Sequence, residues 1–170
     1  MRGSGALFSS GEDRDHWCTP APVIVRVLRV GPIALDPCSN PSSIVPAAIR
    51  VMRPACGLSI PWPSRAGWTI YVNPPYSNPA QRLFLERCAA YVAAGGLCDV
   101  IGCVPARTDT RGFRRGVFQS ASRVCFVSGR IVFEGGENGA PFPSAIPYWG
   151  HRPEVFARAF EDAGEIWRAA

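Results

Sequence analysis

The sequence Trp68-Thr69-Ile70-Tyr71-Val72, followed at once by Asn73-Pro74-Pro75-Tyr76, decides the fold class of this chain. The first five residues are mostly β-branched or aromatic and follow Gly67, which is typical of a buried strand. The two prolines fix two φ angles and remove two N–H donors, so the tetrapeptide is predicted to be a rigid turn. Because open α/β sheets bind ligands beyond the carboxyl ends of their strands, this turn is a candidate functional site.

Predicted helices and strands alternate around this turn. Apolar periodicity predicts a helix over Pro20–Val30 with Thr19 as its N-cap, and another over Pro79–Ala94. We predict the remaining elements at the following places: strands at Ile33–Leu35 and Leu97–Val104, a short helix around Ser43–Arg53, a hairpin of Val124–Val127 with Arg130–Phe133, a strand at Ser144–Trp149, a helix over Pro153–Ala163 and an edge strand at Glu165–Arg168. This order predicts an α/β fold with a mostly parallel sheet and an antiparallel edge.

The length of 170 residues and the 47% hydrophobic content favour one globular domain over residues 15–170. Residues 1–14 are interpreted as a polar, mobile lead-in without the features of a signal peptide. No apolar run reaches the ~20 residues that would cross a bilayer, so we expect no membrane partner.

The cysteine pattern argues against metal and disulfide frameworks. There are seven cysteines, an odd number, and no two have C-x-x-C spacing, so we expect thiols in a reducing cytosol and no metal. The formal net charge is +5 and every basic residue apart from histidine is Arg. Arg suits phosphates and guanine edges, and the net charge favours a polyanionic partner.

The tetrapeptide has the groups that methyl transfer to a ring-conjugated amine requires. The Asn73 carboxamide oxygen and the Pro74 carbonyl can accept the two amine hydrogens, which localises the nitrogen lone pair on the methyl donor. Two acceptors aimed at developing positive charge are the cationic counterpart of an oxyanion hole. Tyr76 is expected to stack on the base. The alternative is that these residues form an ordinary proline turn.

Several stretches resemble one known family. The tetrapeptide resembles the (D/N/S)-P-P-(Y/F/W) signature of amino-methyltransferases that use S-adenosylmethionine. Five more stretches support this in order along the chain: Trp17–Pro20, Leu35–Ser39, Val104–Thr110, Gly129–Phe133 and Pro141–Ala145. Together they are similar to the bacteriophage-type DNA N6-adenine methyltransferase family, found in phages and prophages.

The resemblance implies a Rossmann-like methyltransferase fold, S-adenosylmethionine as donor and adenine in double-stranded DNA as acceptor, in the cytoplasm of a bacterial host. It implies that the adenine is held by Asn73, Pro74, Pro75 and Tyr76. It also implies a donor site built from the following residues: Trp17, Thr19 and Pro20 at the methionine end, and Asp36, Pro37 and Ser39 after the first strand, with the Asp36 carboxylate on the donor's ammonium.

The donor segment departs from the superfamily pattern. Asp36 is followed by Pro-Cys-Ser-Asn-Pro instead of a Gly-x-Gly loop, and no acidic residue lies between Asp36 and Glu86. Ser39, Asn40 or a backbone carbonyl would therefore have to contact the donor ribose in place of an acid.

An arginine-rich segment is the candidate DNA contact, because the target base must leave the duplex to reach such a site. Its residues are Arg107, Arg111, Phe113, Arg114 and Arg115. The alternative is a solvated loop with an ion pair to Asp109. Sequence readout is assigned to this segment and to the Gly135–Pro143 loop.

Two other functions remain open from the residues alone. One is methylation of RNA or of a protein glutamine, since Asn-Pro-Pro-Tyr also suits planar side-chain amides. The other is a non-catalytic DNA-binding relic of the methyltransferase fold that has lost its donor.

Overall fold

The computed structural model describes residues 17–168; the predicted lead-in at residues 1–14 lies outside them. The strands are β1 (Ile33–Asp36), β2 (Ile49–Arg50), β3 (Thr69–Val72), β4 (Asp99–Gly102), β5 (Val104–Pro105), β6 (Arg123–Val127), β7 (Ser144–Trp149) and β8 (Gly164–Arg168). The helices are α1 (Ala21–Val30), α2 (Ala80–Ala93), α3 (Arg111–Phe113), which continues as a π-helical turn over Arg114–Phe118, and α4 (Pro153–Phe160).

These strands form one mixed sheet in the order β2-β1-β3-β4-β7-β6-β8, and β5 pairs with β7. The first four strands of that order are parallel, while β7, β6 and β8 pair antiparallel. The mixed α/β class predicted from the sequence is confirmed. The antiparallel part is larger than the predicted edge, because β7 lies inside the sheet between β4 and β6.

The parallel strands place their carboxyl ends along one edge of the sheet, which we call the carboxyl edge. Pro37 follows β1 there, Asn73 follows β3, and Cys103 follows β4. The register aligns Val72 of β3 with Gly102 of β4, so the segments after both strands begin side by side. Loops far apart in sequence therefore meet at this edge.

Alternation along β3 divides the core between the two faces of the sheet. Ile70 and Val72 pack in the cluster that contains Phe84 and Cys88 of α2, whereas Tyr71 packs in the cluster of α1 and α4. This period of two is what a strand covered on both faces requires. Helices on both faces make the sheet a rigid base for the loops at its carboxyl edge.

Three local predictions were wrong. Thr19 does not cap α1: Pro20 occupies the N-cap position, and the Thr19 hydroxyl lies 2.8 Å from the Tyr71 hydroxyl. The segment predicted as a helix around Ser43–Arg53 contains instead β2, which pairs parallel with β1. Arg130–Phe133 forms no strand; Glu134, just after it, makes an isolated bridge to Cys18.

Candidate active site

The side-chain amide of Asn73, in the turn after β3, is hydrogen-bonded through both its nitrogen and its oxygen. Its Nδ2 donates to the backbone oxygen of Trp17, and its Oδ1 accepts a 2.8 Å hydrogen bond from the Tyr76 hydroxyl. A carbonyl oxygen has two lone pairs, so Oδ1 keeps capacity for a second donor. Asn73 is therefore a half-buried acceptor with a fixed orientation at the carboxyl edge.

Tyr76 is enclosed, which corrects the prediction that it stacks on a base. Its side chain is only 4% exposed, and its ring meets Phe142 and Phe133 edge-on at centroid distances of 5.4 and 6.3 Å. No face of the ring is open to a ligand. Burial raises the pKa of the Tyr76 hydroxyl well above its usual value, so it stays protonated and donates to Asn73.

Trp17 and Phe142 complete an aromatic cluster around Tyr76. The Trp17 ring lies 5.0 Å from Phe133 and 5.6 Å from Phe142 between centroids. Trp17 and Phe142 are half-buried, whereas Phe133 and Tyr76 are buried. The aromatic surface that remains accessible next to Asn73 thus belongs to Trp17 and Phe142.

A large pocket of about 1010 Å³ borders the same turn on the side of α2. Asn73 and Pro75 line it on one side, and Leu83 and Phe84 of α2 on another. The loop after β1 and the segment after β2 supply the rest, namely Pro37–Pro41 and Val51–Leu58. The volume lies at the upper end of the range for cofactor pockets, and the lining is mostly apolar, as such pockets require.

Asp36 supports the loop of this pocket and does not line it. Its Oδ1 accepts from the Cys38 backbone N–H at 3.1 Å, and its side chain is buried. Burial raises the pKa of the Asp36 carboxyl, against hydrogen bonds from Cys38 and Ser39 that lower it. Asp36 is thus not on the wall of the pocket, where the predicted contact with a donor ammonium would require it.

Arg50, which the sequence reasoning missed, fixes the same loop. Its Nε donates to Ser39 Oγ at 2.9 Å, and its Nη2 donates to the backbone oxygens of Asn40 and Ser43 at 2.8 and 3.0 Å. Arg50 ends β2 beside β1, a parallel pairing that local sequence patterns do not reveal. The loop that carries Ser39 is therefore held at three points by one guanidinium.

The predicted donor residues separate into two groups. Pro37 and Ser39 line the large pocket, together with Asn40. Trp17, Thr19 and Pro20 do not. The Trp17 backbone oxygen accepts from Asn73, the Thr19 hydroxyl lies against the Tyr71 hydroxyl, and Pro20 is the N-cap of α1. Of these three, Trp17 holds the turn directly through Asn73, and Thr19 contacts β3, the strand that precedes it.

The family comparison fits this arrangement. The model of a family described as DNA N-6-adenine-methyltransferase (Dam) matches residues 9–145, most of the chain. This protein belongs to that family. No curated protein and no solved structure matches the chain. Membership implies a methyltransferase that acts on adenine in DNA, and the matched range includes the Asn73 turn, the large pocket and the arginine-rich segment.

Arg107 is the residue of the arginine-rich segment that contacts the turn. Its Nη1 donates to the Tyr76 backbone oxygen at 3.1 Å. Arg111, Arg114 and Arg115 are exposed. Within residues 17–168, the ion pair to Asp109 that the alternative included is not formed.

Phe113 is buried, which corrects its prediction as a DNA contact. Its side chain is 3% exposed and packs edge-on against Phe118 at 5.2 Å. Its backbone N–H is capped by the Thr110 hydroxyl at 3.2 Å. Phe113 therefore anchors α3 in the core, and the arginines project from that anchor.

Residues 17–168 contain no group of three or more His, Cys, Asp or Glu side chains arranged to hold a metal ion. None of their helices is long and apolar enough to span a membrane.

Proposed function

We propose that this protein transfers a methyl group from S-adenosylmethionine to the exocyclic amine of an adenine flipped out of double-stranded DNA. The observation that carries the proposal is the Asn73 carboxamide, oriented by Trp17 and Tyr76 at the border of the large pocket. Family membership supplies the reaction class.

Asn73 and Pro74 form the acceptor half of the proposed site. The Asn73 Oδ1 and the Pro74 backbone oxygen would accept the two amine hydrogens and stabilise positive charge that develops on nitrogen. A hydrogen bond to a charged group contributes about 1.5–3 kcal/mol. Because the proton leaves only after the nitrogen has become acidic, this site needs no strong general base.

Tyr76 takes a different role from the one its sequence suggests. We assign it to orient Asn73 through its buried hydroxyl. The base itself would lie against Trp17 and Phe142, whose rings are the half-buried members of the aromatic cluster. Phe142 belongs to the Gly135–Pro143 loop, so this loop would contact the flipped adenine.

The large pocket is assigned to S-adenosylmethionine, which supplies an electrophilic methyl group when bound. Its volume and apolar walls fit a nucleoside with a methionine tail. Ser39 and Asn40 are the polar side chains on the loop after β1, and no acidic side chain lines the pocket within residues 17–168. We therefore assign the ribose hydroxyls to Ser39, Asn40 and the backbone of this loop.

The sheet supports a Rossmann-like assignment. Its parallel half, β2-β1-β3-β4, carries helices on both faces, and the pocket lies beyond the carboxyl ends of β1 and β3. Ligands of doubly wound sheets occupy this position. A protein that modifies DNA and derives from a phage or prophage would work in the cytoplasm of its bacterial host.

Transfer of labelled methyl groups tests the proposal. Purified full-length protein is expected to label adenine in unmethylated double-stranded DNA at low salt, with less label in RNA or glutamine-containing protein offered in competition. A folded sample that labels RNA or protein in preference to DNA would contradict the acceptor. DNA binding without donor binding in calorimetry would support the non-catalytic alternative.

A further inference from the structure

A second, smaller pocket lies between the start of α2 and α3. Its volume is about 320 Å³. We call it the arginine pocket, and its polar lining is Asn78, Gln81, Arg82, Arg107, Thr110 and Arg111. It lies at the low end of ligand-pocket volumes, so it suits a small group rather than a second nucleoside.

The arginine pocket is strongly positive. Three arginines and no acidic residue line it among residues 17–168. Arg82 Nη1 donates to both carboxylate oxygens of Glu86. The other guanidinium donors of Arg82 have no partner within residues 17–168. The Arg111 guanidinium makes no hydrogen bond or ion pair within residues 17–168, while the Arg111 backbone oxygen accepts from the Arg114 N–H. The Arg111 guanidinium, together with the Arg82 donors that Glu86 does not use, can match the oxygens of a phosphate.

Arg107 connects the arginine pocket to the catalytic turn. Its Nη1 donates to the Tyr76 backbone oxygen at 3.1 Å and lies 3.5 Å from Oε1 of Gln81, which is itself 7% exposed. Pro79 lines both this pocket and the large pocket. A group bound between these arginines would therefore lie one short segment away from Asn73.

We infer that the arginine pocket binds one backbone phosphate of the DNA strand that carries the flipped adenine. The inference rests on the proposed function, because it names a contact of the same DNA substrate. Phosphate contacts set the register of a protein on DNA. By gripping a phosphate through Arg82 and Arg111, while Arg107 holds the turn, the pocket fixes the distance between the strand and Asn73.

The inference separates these arginines from Arg114 and Arg115. Both are exposed and neither lines the arginine pocket. They are left to make diffuse contacts with DNA, whereas Arg82 and Arg111 share a single phosphate. Arg82 was not part of the arginine-rich segment in the sequence, because it lies on α2 and meets that segment only in the fold.

The salt dependence of DNA binding tests this sharing. Each neutralised phosphate contributes about 0.9 to the magnitude of the slope of log affinity against log salt concentration. This is about an eightfold change in affinity for each tenfold change in salt. We expect Arg111→Ala to lower the slope by up to this amount, and Arg82→Ala/Arg111→Ala to lower it by about 0.9 in total. Arg29→Ala removes the same charge from the far end of α1 and should leave the slope unchanged.

A slope that falls by about 1.8 in the double variant would mean two separate phosphates and would overturn the inference. So would a slope that stays at the wild-type value. Thermal melting of each variant checks that the fold is intact, which is expected because both side chains are exposed.

A second experiment locates the phosphate. Duplexes with an adenine opposite an abasic site are prepared with one neutral methylphosphonate at each linkage near the adenine in turn. Wild-type binding should weaken at one linkage, and Arg82→Ala/Arg111→Ala should lose that sensitivity. Equal profiles for both proteins would overturn the inference. This experiment measures binding and does not depend on methyl transfer. If the protein methylates DNA but the two binding profiles are equal, only the inference about this pocket is refuted. If binding shows the position-specific loss but the protein does not methylate DNA, only the proposed function is refuted.

Discussion

Asn73 and Asp36 both follow or end buried strands at the carboxyl edge, yet their surroundings give them different roles. Asn73 borders the large pocket and retains acceptor capacity, whereas Asp36 is buried behind the loop that it supports. Residue type and position after a strand predicted both as site residues. The direction of the side chain, which depends on the folded loop, separates them.

The raised pKa of Asp36 makes a prediction about stability. A carboxyl whose pKa is higher in the folded protein stabilises it fully below the ordinary pKa, and this contribution is lost as pH rises through the raised value. Asp36→Asn keeps an oxygen for the Cys38 N–H and carries no charge. Its free energy of unfolding, relative to wild type, should therefore increase between about pH 4 and pH 7 in denaturant titrations. A relative stability that falls over this range would contradict the assigned burial cost.

At the scale of elements, the sequence predicted those whose pattern is local. β3 and α2 were found within one or two residues, because each carries its own apolar pattern and its own turn signals. Ser43–Arg53 was not, because its strand β2 pairs with β1, which lies outside the segment. Arg130–Phe133 was not, because its Ile131 and Phe133 oxygens accept from Ala140 and Gly136 of the following loop and not from a facing strand. The same limit hid Arg50 and Arg82, which join the site only through tertiary contacts.

The segment after β2 offers a chemical test of the donor pocket. Cys56 lines that pocket and is exposed, whereas Cys103 is buried and burial raises its pKa to about 11. Alkylation of native protein near pH 7.5 should therefore begin at Cys56. Saturating S-adenosylmethionine should slow that reaction severalfold, as measured by peptide mass spectrometry.

Cys56→Ser is the control for this test, and it should lack the fast phase of alkylation. If S-adenosylmethionine does not change the alkylation rate of Cys56, the assignment of the donor to this pocket is contradicted. The readout does not depend on methyl transfer, so it separates donor location from activity.

For the whole molecule, the two edges of the sheet have different roles. At the edge opposite the turn, Asp99 is buried and accepts from the Tyr148 hydroxyl at 2.9 Å, the His151 N–H at 2.8 Å and Arg152 Nε at 2.7 Å. Arg152 also forms an ion pair with it. This network joins β4 to the segment after β7 and lies away from both pockets.

Asp99→Ala should therefore reduce stability without changing the chemistry. Removing one partner of a buried ion pair costs about 3–5 kcal/mol, and we expect the lower end because Arg152 is partly exposed. The free energy of unfolding from urea titration should fall by about 3 kcal/mol, with kcat per folded molecule unchanged. Asp162→Ala, which breaks an exposed pair with Arg26, is the matched control and should change little. A loss of kcat in folded Asp99→Ala protein would contradict this division of roles.

The central claim is that Asn73 holds the adenine amine, and cellular DNA tests it most directly. Nucleosides are quantified by mass spectrometry from DNA of a host without its own adenine methylation, expressing wild type, Asn73→Ala or Gln119→Ala. Gln119→Ala removes an exposed carboxamide at the end of the π-helical turn and should match wild type. Loss of a charged-state hydrogen bond predicts that Asn73→Ala lowers the methylation rate by about 10- to 100-fold. N6-methyladenine at the wild-type level in cells expressing soluble, folded Asn73→Ala protein would contradict the account.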